Sequence, residues 1–268
     1  MFGKFGIVSL LMLLNACASI PQSSGGQLVT DKPLETVTDE QVRSVSRYVD
    51  ADLLSDIKSY VLPEINLTLP EANPDITKEQ LALISNALNR SICTRLGQYL
   101  TAEPSASGDA MRVEVSLTGI TPTSKSIAGI SAAVDTFVPG PFRIPIGMGA
   151  IALDARASND GGTIAFMRWA KGANPVFNSA KVSSIGDAYA LVETFTREFG
   201  QLLIQGAGGE EKRQKLVEVE IQSNERLCEA RYGIVDAVGK GASFLIPLSP
   251  EYIDKGKPDP SKDSDQGV

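Results

Sequence analysis

The chain predicts an α+β fold, a two-layer α/β sandwich. A mixed or antiparallel sheet carries two long amphipathic helices on one face, and a C-terminal extension follows. Three observations carry that expectation. MRVEVSLTGI, from Met111, alternates along the chain. Val113, Val115 and Leu117 point one way, and Arg112, Glu114 and Ser116 point the other, as in a strand with one wet face. Stretches 148–157 and 163–171 read as two further strands around Asn159-Asp160-Gly161-Gly162, a hairpin signal because glycine supplies the φ > 0 such turns need. Leu81, Ile84, Leu88, Ile92 and Leu96 recur at helical spacing, as do Leu191, Phe195, Phe199 and Leu202. Elements that are apolar on one side only bury that side by stacking in two layers.

The N-terminus comes first in order. Met1 to Lys4 carry one positive charge, and Ile7 to Leu14 form an apolar run too short to span a bilayer, which needs about 20 residues. Leu14-Asn15-Ala16-Cys17 resembles the bacterial lipobox, in which the cysteine is acylated and becomes the mature N-terminus. Residues 1–16 are thus expected to be a lipoprotein signal peptide; the alternative is an ordinary signal with an incidental cysteine. One acyl chain holds only marginally, whereas the several chains of a lipoprotein cysteine hold firmly. Ala18, where an Asp would favour the inner membrane, leans toward the outer one. Residues 17–37, polar with Gly, Ser and Pro, read as a flexible tether.

The α/β domain is expected over residues 38–206. A short helix is predicted from Thr38, with Gln41 completing a capping box, and a strand over 60–69, stopped by Pro70 and Pro74. The first long helix starts at Ile76, capped by Thr77 and Gln80, with Lys78, Asn89, Arg90 and Arg95 on its far face. The second runs from about Ile185 to Ile204, capped by Ser184 with Asp187 in its first turn. GAGGEE breaks the chain after it. Within the extension, 207–250, Lys212 to Arg231 fits a helix better than the strand that LVEVEI also allows. Residues 251–268 read as a disordered tail.

SIAGISAAVDTFVPGPFRIPIGMGA, residues 126–150, is longer and more apolar than an ordinary connection. It fits either a short helix and loop packed over the sheet edge or a surface for a partner or the membrane. In the second case Phe137, Phe142 and Ile144 are the candidate partner surface.

The strand RVEVSLTGITPTS, this insertion, the hairpin and IGDAYALVETFTREFGQLL together resemble an uncharacterised family of bacterial lipoproteins with a small α/β domain. In that family a Gly-Asp-Ala motif, here Gly186-Asp187-Ala188, opens the last amphipathic helix. The resemblance covers about residues 40 to 205. The extension from about 206, with Cys228 inside it, departs from the family's pattern. Membership implies the fold and an envelope location, and no mechanism.

Composition narrows the function. A net charge of −7 without a Lys/Arg cluster argues against nucleic acid as a partner. The chain has no histidine, which removes Ser-His-Asp triads, Cys-His dyads and His-based zinc sites. Cys93 and Cys228 form a candidate disulfide if the body is exported, and two buried thiols otherwise. Ser55-Asp56-Ile57-Lys58 fits S-x-x-K without its companion motifs, and Gly129-Ile130-Ser131 lacks the second glycine of a nucleophile elbow. Asp154, Arg156 and Arg168 read as a solvated cross-strand charge cluster. Trp169 fits core or edge packing better than a ligand platform. No metal, cofactor or catalytic residue is expected. The expected role is a non-catalytic envelope lipoprotein on the periplasmic side of the outer membrane, held by acylated Cys17 and serving as an interaction or assembly accessory. The alternative is a periplasmic binder of a small or lipidic ligand.

Overall fold

The computed structural model describes residues 28–40, 43–65, 67, 73–105, 109–123, 148–173, 183–206, 213–235, 249–254 and 256. Cys17, Phe137, Phe142 and Ile144 lie outside them. The strands are β1 (Glu35–Glu40), β2 (Arg43–Val49), β3 (Ser59–Val61), β4 (Thr101–Ala102), β5 (Met111–Thr121), β6 (Ala150–Asn159) and β7 (Gly162–Gly172). They make one sheet in the order β1-β2-β7-β6-β5-β3-β4. β3 runs parallel to β4 and β5, and the other pairs are antiparallel, so the sheet is mixed. The helices are α1 (Ala51–Asp56), α2 (Lys78–Leu96), α3 (Gly186–Gln205), α4 (Glu218–Tyr232) and α5 (Pro250–Ile253).

α2 and α3 pack side by side, and α3 lies on β6 and β7. Their buried stripes meet Val113, Leu117, Ile151, Leu153, Met167 and Trp169 in one core. The Trp169 ring meets Phe195 edge-on at 5.5 Å, and Phe195 stacks on Phe199 at 5.7 Å. Trp169 is fully buried, and its indole N–H donates to Glu198 Oε2 at 2.9 Å. The capping box of α2 forms as expected: Thr77 Oγ1 accepts from the Gln80 amide, and Gln80 Oε1 accepts from the Thr77 amide. The predicted turn closes the β6–β7 hairpin, with Gly162 at φ 121°.

Several expectations fail, each for a physical reason. The helix expected from Thr38 is instead a β-hairpin, in which β1 pairs with β2 from Glu35↔Arg47 to Glu40↔Arg43. Val37, Val45 and Val49 take the core side, so pairing outweighed a local capping pattern. The strand expected over 60–69 ends at Val61. Beyond it the chain bonds to α2 side chains, with the Ile65 amide donating to Asn89 Oδ1 at 3.1 Å and the Leu67 amide to Ser85 Oγ at 3.1 Å. Asn89 is thus buried, not on an outer face. Ser184 does not cap α3: Ile185 holds the N-cap position without a side-chain bond, and Ser184 donates to Gln80 instead.

The ends of β5 and β6 approach so closely that Gly149 tolerates no side chain. A Cβ there would sit 2.8 Å from Thr123 Oγ1 and 2.9 Å from the Thr121 carbonyl oxygen. Gly149→Ala is expected to destabilise the fold by about 2 kcal/mol, read from the midpoint of urea unfolding.

Candidate interaction site

The Cys93–Cys228 disulfide forms, with Cα atoms 5.7 Å apart, and fixes α4 to α2. Asn224, one turn before the bridge, donates to the Gly97 carbonyl at 2.8 Å and the Leu100 carbonyl at 3.0 Å, and accepts from the Ala102 amide. Tyr232 O–H reaches the Leu62 carbonyl at 2.9 Å. The extension is therefore stitched to α2, β4 and the segment after β3.

Between α2, α3 and α4 runs a groove of about 850 Å³, with Arg95, Arg197 and Glu225 among its lining. Arg90 and Tyr189 stand at one end, where the chain returns after α5. Arg90 Nη2 donates to Asp254 Oδ2 at 2.7 Å, and Tyr189 O–H donates to the same oxygen at 2.5 Å. Arg90 Nη1 also reaches Asp254 Oδ1 and the Tyr232 carbonyl. Burial first, then the bond to Asp254, pushes the Tyr189 phenol well above its ordinary range. Tyr189 therefore stays protonated and remains a donor.

A second carboxylate sits nearby. Glu251 Oε1 accepts from Ser183 Oγ at 2.7 Å and Gln80 Nε2 at 2.8 Å, and Glu251 Oε2 accepts from Ser249 Oγ. Burial alone would raise its carboxyl; the bonds from Ser249, Gln80 and Ser183 outweigh it and hold it below its usual range.

Gly186-Asp187-Ala188 has a structural use. Asp187 is fully buried, and its Oδ2 accepts from the Gly149 amide at 2.8 Å and from Thr123 Oγ1 at 3.0 Å. Thr123 closes the last described stretch before the insertion and Met148 opens the next, so one carboxylate holds both ends of that insertion together. Sequence spacing gave no sign of this, because the partners lie just past the end of β5 and just before the start of β6.

Asp154 is not solvated as expected. It is 0% exposed, it takes one bond from Arg168 Nε at 3.3 Å, and its Oδ2 has no hydrogen-bond partner. Burial, only partly offset by Arg168, raises its carboxyl above the ordinary value. Ionisation therefore weighs on the native state, and the burden appears as pH rises through the folded value. Below the unfolded value, near 4, it vanishes. Asp154→Asn is expected to raise Tm at neutral pH, with the gain disappearing below about pH 4 in a pH series of thermal melts. Arg156 pairs instead with Glu114, at 2.7 Å.

Among the described residues no group of three or more Cys, Asp or Glu is placed to hold a metal ion, and no helix is long and apolar enough to cross a membrane. A family described as "Protein of unknown function (DUF3313)" matches residues 27–199, more than half of the chain. The chain belongs to that family. The match ends inside α3, so α4 and α5 lie beyond the part that defines the family. No curated protein matches the chain. Among solved structures it is similar to PelC from Paraburkholderia phytofirmans, in two dodecamer structures. To a variant in one it is 11% identical, over 57% of this chain and 92% of that one, with a TM-score of 0.32. To the other it is 10% identical, over 57% and 93%, with the same TM-score. Similarity this distant assigns no role to the present chain.

Proposed function

We propose that the chain is a bacterial envelope lipoprotein, non-catalytic, that serves as an interaction or assembly accessory on the periplasmic side of the outer membrane. The observation that carries the reading is Leu14-Asn15-Ala16-Cys17 directly after a short apolar run, the arrangement of an acylated cysteine. The Cys93–Cys228 disulfide supports export independently, because such bonds persist in oxidising compartments.

The sheet positions the two segments of interest. β1 starts beside Arg47 and Met167 of the neighbouring strands, half-way along the β6–β7 hairpin. The insertion with Phe137, Phe142 and Ile144 departs at Thr123 and returns at Met148, at the end of the strands away from the β6–β7 turn. About five residues of strand, roughly 17 Å, separate the level of Glu35 from that end. The buried acids Asp187 and Asp254 and the partly buried Glu198 are engaged in holding elements together, which fits an accessory better than an enzyme.

Metabolic labelling with palmitate in a bacterial host tests the anchor. The wild-type chain is expected to take up label and fractionate with outer membrane; Cys17→Ser is expected to lose the label and appear in the soluble periplasm. An unlabelled wild type removes the proposal. Photo-crosslinking from position 142 in living cells then tests the partner surface, a defined protein adduct being the expected result.

A further inference from the structure

The segment after the last apolar stretch holds on by an unusual means. Residues 249–254 bury Pro250 and Asp254, while Tyr252 is 80% exposed. Apolar contact is thus small; two carboxylates one helical turn apart hold the segment, with one backbone bridge between Val235 and Asp254. Glu251 fills a socket made by Gln80 of α2 and Ser183 before α3. Asp254 fills a second, made by Arg90 of α2 and Tyr189 of α3.

Both sockets are built without the segment that fills them. Gln80 is held by Thr77 and Ser184, and Ser183 accepts from the Ile185 amide. Arg90 is steadied by the Tyr232 carbonyl at the end of α4, which the disulfide fixes. A segment held by polar contacts with little apolar burial opens at low free energy compared with a core helix. When it opens, Arg90, whose side chain is 14% exposed with the strap in place, loses the carboxylate it pairs with. The vacated donors, the Arg90 guanidinium and the Tyr189 hydroxyl, then suit another carboxylate.

We propose that residues 249–254 form a releasable strap, and that the sockets it vacates bind an acidic segment of a partner protein presenting two carboxylates one helical turn apart. Gln80, Ser183, Arg90 and Tyr189 are the binding residues. The strap competes from within the chain, so a partner binds only when it outmatches an intramolecular ligand of high effective concentration. The inference does not depend on the anchor at Cys17.

The test uses the full chain and a peptide of its own residues 249–256, Ser-Pro-Glu-Tyr-Ile-Asp-Lys-Gly. The double variant Glu251→Gln/Asp254→Asn weakens the strap in place. By fluorescence anisotropy it is expected to bind the labelled peptide at least tenfold more tightly than the wild type does. A peptide with Gln and Asn at the two acidic positions is expected to bind neither. Absence of saturable binding to a variant with intact disulfide and unchanged circular dichroism overturns the proposal. If the variant does not fold, hydrogen exchange of the wild type decides. Excess acidic peptide is expected to speed exchange at the strap amides of Tyr252 and Asp254, while the amidated peptide leaves it unchanged. Exchange unaffected by either peptide overturns the proposal equally.

Discussion

Replacing Cys93 and Cys228 together by alanine is expected to lower the free energy of unfolding by about 4 kcal/mol. The bridge spans a sequence separation of 135 residues, about half the length of the chain. Loop entropy of that length gives roughly 5 kcal/mol in the chain-entropy treatment, and native bridges of this kind contribute about 2–5 kcal/mol when removed. Packing adds to the effect, since Cys93 is 2% exposed and Cys228 fully buried. The variant should also lose protection locally. α4 buries little besides Asn224, Cys228 and Tyr232, so without the bridge it rests on a few hydrogen bonds. Protease should then cut between α3 and α4 well below the denaturation midpoint. Urea unfolding of both forms, with limited proteolysis in parallel, checks this. A midpoint shift below that of a 1 kcal/mol change would show that α4 adds little to the fold.

The same helix shows how far the sequence could be read. Periodicity found α2, α3 and β5, because each buries one apolar face and the spacing records which side it is; the β6–β7 hairpin was legible from its Asn-Asp-Gly-Gly turn. The capping box at Thr77 and Gln80 marked the start of α2 because its chemistry is wholly local. The failures all involve partners distant in sequence. β1 exists because Val37 meets Val45 and β2 meets β7, and ETVTDE alone does not show that. Asn89 looks polar and exposed on a helical wheel, yet it is buried because the strand-like segment at Ile65 needs its amide. The charge cluster at Asp154 was visible as a cross-strand set, but its burial was not. The sockets for Glu251 and Asp254 were not legible at all, since residues 251–268 had the composition of a disordered tail.

Asp187→Ala is expected to destabilise the domain by about 3 kcal/mol, and Asp187→Asn by about half as much. The alanine variant leaves the Gly149 amide and the Thr123 hydroxyl without their shared acceptor in a site closed to water. Each orphaned group costs about 1–3 kcal/mol. Asparagine keeps one carbonyl oxygen for the Gly149 amide but loses the charge that strengthens both bonds. The graded series separates two meanings of the Gly-Asp-Ala motif. A staple at the base of the insertion predicts that stability falls in the order Asp, Asn, Ala, and that hydrogen exchange rises first at Gly149 and Thr123. A residue kept for chemistry predicts that Asn preserves stability while any activity disappears. Thermal melts of the three chains, with exchange followed at those two amides, distinguish these outcomes. Equal stability of all three would mean that the insertion needs no fixed base, and the case for a surface presented by the fold would fall with it.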